Sequence, residues 1–471
     1  MKKILIRLGF FSIGSLGSAV LNLVLLPVTT TFLSPEEYGK TSMFFLAQTF
    51  LIYVIYLGFD QAFTREYHDQ ENKKSLLQQS MMIPLIGSII LAMNLVLYAN
   101  HFSMFLFEDP SYTKAIYLLA ISAILLIFER FILLNIRMQN KAIIFSVYSI
   151  LLKLIILLFT LLFLYVGRPT FITVVYGMLV GQIIGDCVLI IGNGMLFYPL
   201  NLTLDKSLIN NLCRFGFPTV VGTFLYSLLT IIDKVMLRHF ADFTSLGIYT
   251  AAFKVASALM ILQVSFANFW IPTAYEWYKK NKPLVHYERV SHLMMFLLSF
   301  CFLIMVLFKE SIVLLLSSEY SEAQHLVQLL SFYPLMMTIS ETTNLGIVFS
   351  KKSHLNIAAS LFAVLAASLT HLFFVPLFGA TGAAAATGLG YLVFFFSRTY
   401  FSMKHWQGFS VKRQVSLSLL LYCFALFTAV NQNFWLEKGM VLLLLLLMLI
   451  LYQNELKLMK LFFQERNIRR L

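Results

Sequence analysis

The chain has 471 residues, of which 59% are hydrophobic and 12% charged, with a mean hydropathy of +0.81. Soluble domains sit near ~45–50% apolar and ~25% charged, so this composition excludes an ordinary soluble domain and indicates an integral membrane protein. The net charge of +13 does not argue for a nucleic-acid partner, because the basic residues follow the membrane topology described below.

Lys2, Lys3 and Arg7 precede an apolar run that continues to about Leu33 without a small-x-small cleavage site. A retained first span is expected here in place of a signal peptide. A crossing helix needs about 20 mostly apolar residues. Such runs occur at approximately 10–33, 41–62, 78–99, 114–136, 142–166, 171–192, 215–237, 246–271, 290–308, 323–349, 354–376, 380–402, 412–430 and 439–453. The expected fold is therefore all-α, with about 14 transmembrane helices and both termini on one side.

The chain also repeats itself. Arg7-Leu-Gly-Phe and Arg214-Phe-Gly-Phe stand 207 residues apart, and Phe32 and Tyr38-Gly39 return as Phe240 and Gly247-Ile-Tyr249. A repeat of about six spans means two homologous halves. The expected lobes are 1–204 and 205–405, followed at 406–471 by two further helices and a basic tail.

With the N-terminus inside, inner loops and ends carry 25 of the 35 Lys and Arg, outer loops carry 6 (Lys40, Lys114, Arg168, Arg238, Lys309, Lys438), and four lie within spans or at their ends. This asymmetry sets the orientation and explains the basic pI. Both termini are expected in the cytoplasm. Asn201-Leu202-Thr203 matches a glycosylation sequon but falls on the inner side, so it is discarded.

Pro27, Pro84, Pro218 and Pro334 sit inside spans, where they kink helices and free carbonyls. Gly177-x-x-x-Gly181-x-x-x-Gly185 reads as a close-packing face. The run from Phe378 to Gly390 reads as a tight outer turn and a small-residue helix face. Cys187, Cys213, Cys301 and Cys423 are scattered singly without metal-ligand spacing, so no metal site or disulfide framework is expected.

Four stretches carry a family resemblance: PVTTTFLSPEEYG (Pro27 to Gly39), GFDQAFTREY (Gly58 to Tyr67), IDKVMLRHFADFTSLGIYTAAFK (Ile231 to Lys254) and PLFGATGAA (Pro376 to Ala384). Together they resemble Wzx-type polysaccharide (O-unit) flippases, over roughly residues 5 to 402. These belong to the MOP superfamily, with the MATE multidrug exporters and lipid II flippases. The resemblance implies two pseudo-symmetric six-helix bundles around a central cavity. It also implies movement of an undecaprenyl-diphosphate-linked oligosaccharide across the bacterial plasma membrane by alternating access, for O-antigen, capsule or exopolysaccharide assembly. Polysaccharide polymerase and chain-length proteins would be its partners.

Ionisable groups in hydrocarbon are costly and default to a functional reading. Lys254, about eight residues into span eight, and Lys153, near the midplane of span five, offer one deep cation per half to a diphosphate. Alternatively each snorkels or pairs with a carboxylate such as Asp233 or Glu341. Glu129 and Arg130 are neighbours about 100° apart on one helix and cannot face the same way; Arg130 joins the substrate candidates. Asp60 and Arg65 at the inner mouth of span two, and Asp233-Lys234 near the outer end of span seven, are candidate gates. Deep Glu341 either titrates with a coupling ion or neutralises Lys254. His371 reads as a satisfied packing residue.

No GxxxxGK[ST] occurs, so ATP hydrolysis through that loop is not expected. No cofactor is expected; coupling to an H+ or Na+ gradient and passive exchange both stay open. A MATE-like exporter of another substrate or a lipid II-type flippase is the alternative transporter. A polytopic polysaccharide-assembly enzyme fits less well, because the outer loops are too short to hold a sugar acceptor, and a scaffold subunit stays open. Reporter fusions at residues 280 and 243 are expected on opposite sides of the membrane; equal sidedness would remove the fourteen-span arrangement.

Overall fold

The computed structural model describes residues 2–197, 205–431 and 433–453. Asn201, the end of the first expected lobe at residue 204, and the basic tail lie outside these residues. All regular structure among them is helical, as hydrocarbon demands of a single chain that must satisfy its own backbone hydrogen bonds.

Contacts divide the chain into two compact units, Met1–Lys234 and Val235–Leu471. The first contains α1 (Lys2–Phe32), α2 (Pro35–Tyr56), α3 (Phe59–Glu66), α4 (Lys73–Leu97), α5 (Ala99–Phe107), α6 (Thr113–Met138), α7 (Ala142–Val166), α8 (Phe171–Gly192) and most of α9 (Lys206–Phe240). The second continues with α10 (Phe243–Ser257), α11 (Met260–Lys279), α12 (Leu284–Leu307), α13 (Lys309–Val313), α14 (Ala323–Leu330), α15 (Phe332–Thr343), α16 (Leu345–Phe349), α17 (His354–His405), α18 (Lys412–Val430) and α19 (Phe434–Leu451).

The order of elements repeats. Phe32 and Phe240, which end α1 and α9, stand 208 residues apart, as do the first residues of α2 and α10. Each of those later helices is capped by the residue before it: Ser34 accepts from the Glu37 N–H and Asp242 from the Ser245 N–H. Further along, Asn140 and Lys351 both take positive φ, 58° and 56°, in equivalent turns.

Among the described residues, nine helices are long and apolar enough to cross a membrane, or ten if the bent pair α2 and α3 is one span. The protein is thus a multi-pass membrane protein. The fourteen expected runs map onto these helices unevenly. Runs eleven and twelve form the single 52-residue α17, interrupted at Gly379 (φ 55°, ψ −131°). That backbone conformation is open to glycine and strained for other residues. Run eight breaks between α10 and α11, and run ten divides into α14, α15 and α16. Length and apolarity alone therefore do not deliver the count of fourteen.

Large apolar side chains point outward in stripes, including Ile86, Ile90 and Met93 on α4 and Leu154, Leu158 and Leu162 on α7. Patches of this kind at helical spacing suit lipid. Inside, small residues set the distances. A Cβ on Gly177 would stand 2.8 Å from Thr160 Cα, and one on Gly181 2.8 Å from Ile156 Cα. The glycine stripe of α8 is a packing face against α7, as its spacing suggests.

The C-terminal helices are tied down by charge. Lys309, read from sequence as an outer-loop residue, is buried, with Nζ 2.7 Å from Glu437 Oε2 and 3.1 Å from Gln328 Oε1. Its neighbour Glu310 receives Lys438 at 2.7 Å. Apolar residues around Phe308 had marked a span end, and the sequence gives no sign that α19 covers it.

Substituting Gly181→Leu is expected to lower the thermal unfolding midpoint of the detergent-purified protein through overpacking of about 1–3 kcal/mol. An unchanged midpoint would mean that α7 and α8 yield freely there.

Candidate functional site

The first unit gathers its intramembrane charges around the α2–α3 break. Leu57 and Gly58 take positive φ (47° and 72°), and the chain resumes as α3 with Asp60 in its first turn. Glycine meets the left-handed requirement, and the carboxylate sits at the positive end of the helix dipole. Asp60 is buried, and Arg130 of α6 reaches it: Nε and Nη2 donate to Oδ2 at 3.2 and 2.7 Å. The guanidinium also lies 5.6 Å from the Tyr56 ring centroid, while the Arg130 side chain stays 46% exposed. Arg65, the other gate candidate at this mouth, projects outward, 4.0 Å from Glu66. The ion-pair partner of Asp60 is Arg130, 70 residues along the chain.

Glu129, adjacent to Arg130, acts on a residue that the sequence reading passed over. Asp186 in α8 is fully buried, and neither carboxyl oxygen has a hydrogen-bond partner. Glu129 from α6 and Lys153 from α7 are its charged neighbours. Gln182, one turn earlier on α8, accepts from Gln48 Nε2 at 2.9 Å. The signal was present in the glycine stripe: Gln182 and Asp186 each follow a glycine that brings α7 to contact distance.

Asp233 in α9 is buried and receives Lys234 Nζ at 3.0 Å. This local arrangement matches their place in the sequence.

In the second unit, Lys254 is partly buried in the last turn of α10. A helix C-terminus collects unbonded carbonyls, so a cation there is favoured. Glu341 of α15, one expected counter-ion for Lys254, is instead held by Arg398 of α17. Nη1 of Arg398 donates to Glu341 Oε1 at 3.1 Å and to Ser340 Oγ at 2.8 Å, while Nε donates to Asn356 at 3.0 Å. Asn344 also donates to Glu341 Oε2 at 3.3 Å, and Trp270 Nε1 donates to the Glu341 carbonyl at 3.1 Å. The Arg398 side chain is itself largely buried. His371 is a satisfied core residue, within 2.6 Å of the Ala367 carbonyl and 3.3 Å of Thr387.

Among the described residues no group of His, Cys, Asp and Glu is placed to hold a metal ion. Glu341→Gln is expected to lower abundance and thermal stability by about 3–5 kcal/mol, because it strands a buried guanidinium. Adding Arg398→Met should recover much of that loss; no recovery would show that the pair is not the cause.

The comparisons agree with this architecture. The chain is similar to the lipid II flippase MurJ in an inward closed conformation, with a TM-score of 0.69 and 16% identity, covering 94% of this chain and 99% of that one. It is also similar to multidrug resistance MATE family transporters of the MOP superfamily. The inward-facing form gives TM-score 0.63 at 14% identity, covering 84% of this chain and 94% of that one. The outward-facing form gives 0.58 at 15%, covering 86% and 95%. At these identities the likeness establishes the fold. No curated protein matches the sequence. Residues 7–276, more than half of the chain, match the family described as polysaccharide biosynthesis protein, and the chain therefore belongs to that family and carries the fold of the MOP-superfamily transporters.

Proposed function

We propose that this protein is a flippase that moves an undecaprenyl-diphosphate-linked oligosaccharide from the cytoplasmic to the outer leaflet of a bacterial plasma membrane. The observation that carries the reading is a conjunction. The chain belongs to a polysaccharide biosynthesis family, and its fold resembles a lipid II flippase over nearly the full length of both chains. Membership of a polysaccharide biosynthesis family favours a lipid-linked sugar substrate over drug export.

On this reading transport proceeds by alternating access, with the sugar in water and the prenyl tail in lipid. Lys254 and Arg130 are the cations we assign to the diphosphate. Arg130 suits the task because it is fixed by Asp60 and Tyr56 yet remains half exposed, and a guanidinium presents several donors to phosphate oxygens. Lys153, beside Asp186, has a carboxylate to answer first. The gating candidates are Asp60 with Arg130, and Asp233 with Lys234. The polymerase and chain-length proteins of the same assembly line are the proposed partners, and cytoplasmic termini are part of the proposal.

Cells lacking the protein should strand lipid-linked repeat units on the cytoplasmic leaflet. Lys254→Ala should give normally inserted protein and an export rate reduced at least tenfold, with partial activity for Lys254→Arg. Normal arrival of repeat units at the outer leaflet in the deletion strain would overturn the proposal.

A further inference from the structure

Two segments of the first unit, 70–79 and 205–208, enclose a cavity of about 400 Å³. Hydrogen bonds fix its walls. Asn72 caps α4, its Oδ1 accepting from the Ser75 N–H at 3.0 Å. Asp205 starts α9 in the same way, with Oδ1 accepting from the Ser207 and Leu208 N–H groups at 2.9 and 3.2 Å. Gln79, buried one turn along α4 from Ser75, joins the two segments. Its Nε2 donates to Ser75 Oγ at 2.9 Å, and its Oε1 accepts from the Asp205 N–H at 3.1 Å. The cavity is therefore built before any ligand arrives, which spares a ligand the cost of ordering it.

The lining decides what fits. Gln70, Ser75 and Gln79 offer carboxamide and hydroxyl groups, Asp205 a carboxylate, and Leu76 and Leu208 apolar surface. Among the described residues no Lys or Arg lines the cavity. Lys73, inside the same segment, turns its Nζ to the Tyr67 and Gln70 carbonyls. A phosphate would meet Asp205 with no cation to offset it, so the cavity does not suit an anion. A metal ion lacks ligands, since no three-ligand group exists among the described residues. Among those residues no aromatic ring lines the cavity to stack a nucleobase, and an all-helical unit gives an extended peptide no strand edge. An uncharged sugar fits. Each of its hydroxyls donates and accepts, as carboxamides and a Ser hydroxyl can answer, and a carboxylate accepts from several hydroxyls at once. The C–H faces of the ring suit the leucines.

We propose that this cavity binds the sugar rings of the lipid-linked oligosaccharide, apart from the cations assigned to the diphosphate. On the proposed topology both segments lie on the cytoplasmic side, where the substrate is loaded. The first segment leads back through α3, eight residues and about 12 Å long, to Asp60 and Arg130. An oligosaccharide of a few rings bridges that distance, so diphosphate and sugar can be held at the two ends of α3. The lipid carrier of the sugar rests on the flippase reading above; binding of the sugar itself does not.

The test is saturation-transfer NMR on the full-length protein in lipid nanodiscs. The probe is the oligosaccharide freed by mild acid from the cell's own lipid-linked repeat units, compared with free glucose, galactose and N-acetylglucosamine. Wild type should pass saturation to the ring protons of the oligosaccharide. Ser75→Leu, which fills the cavity, and Gln70→Ala, which opens a wall, should each weaken binding at least fivefold. Gln70 is a half-buried loop residue, so its replacement should leave the thermal unfolding midpoint unchanged. No transfer in wild type, or unchanged binding in either folded variant, overturns the proposal. Monosaccharides that bind as tightly as the oligosaccharide overturn it too, by making the cavity a site for free sugars. The assay uses sugar without its lipid and requires no transport. Failure here therefore leaves the flippase reading intact, and failed export in cells leaves the binding result standing.

Discussion

Hydrocarbon tolerates no unanswered charge, and the rest of this structure follows from how the chain answers its own. Arg398 and Glu341 come from helices whose contact ordinary apolar packing would leave free to slide. The ion pair, with Ser340, Asn356 and Asn344 around it, fixes their rotation and height. A buried pair of this kind contributes little net stability over an apolar substitute, yet losing one member is severe. Its effect is therefore on specificity: it admits one register of α15 on α17. Asp60 and Arg130 do the same for α3 and α6.

The small residues work on the same problem from the other side. Gly177 and Gly181 bring the α7 and α8 backbones to contact, which is how helices without a hydrophobic driving force gain dispersion energy. The closeness that packs these helices also presses Asp186 into the company of Glu129 and Lys153. Packing and charge are thus one arrangement, and the polar residues beside the glycines mark where they meet.

Much of this was legible in the sequence, for definable reasons. Apolar runs of membrane length, the glycine stripe and the recurrence of Phe32 as Phe240 are local or periodic features, and physics acts on them locally. Partner choice is not local. Asp60 is legible as a charge at a span end, but that it meets Arg130, 70 residues on, is not. Glu341 was weighed as a counter-ion for Lys254, yet Arg398, 57 residues later, holds it. Lys309 looked like a loop residue because nothing in its own segment announces the α19 residue that meets it. Asp186 was overlooked because its stripe had already been explained by packing. Breaks such as the one between α10 and α11 escaped a reading based on hydropathy, which senses apolarity and not hydrogen-bond continuity.

The clasp between α13 and α19 has an evolutionary corollary. Lys309-Glu310 meets Glu437-Lys438 as two dipeptides of opposite order, each cation on the other's anion. A reversal at one position leaves like charges in a buried site, so single steps are closed. Exchange of a whole couple, Lys309 with Glu437 or Glu310 with Lys438, preserves the match. These four positions should therefore drift as covarying couples, and α19 should pass from one descendant to another only together with the short segment it clasps.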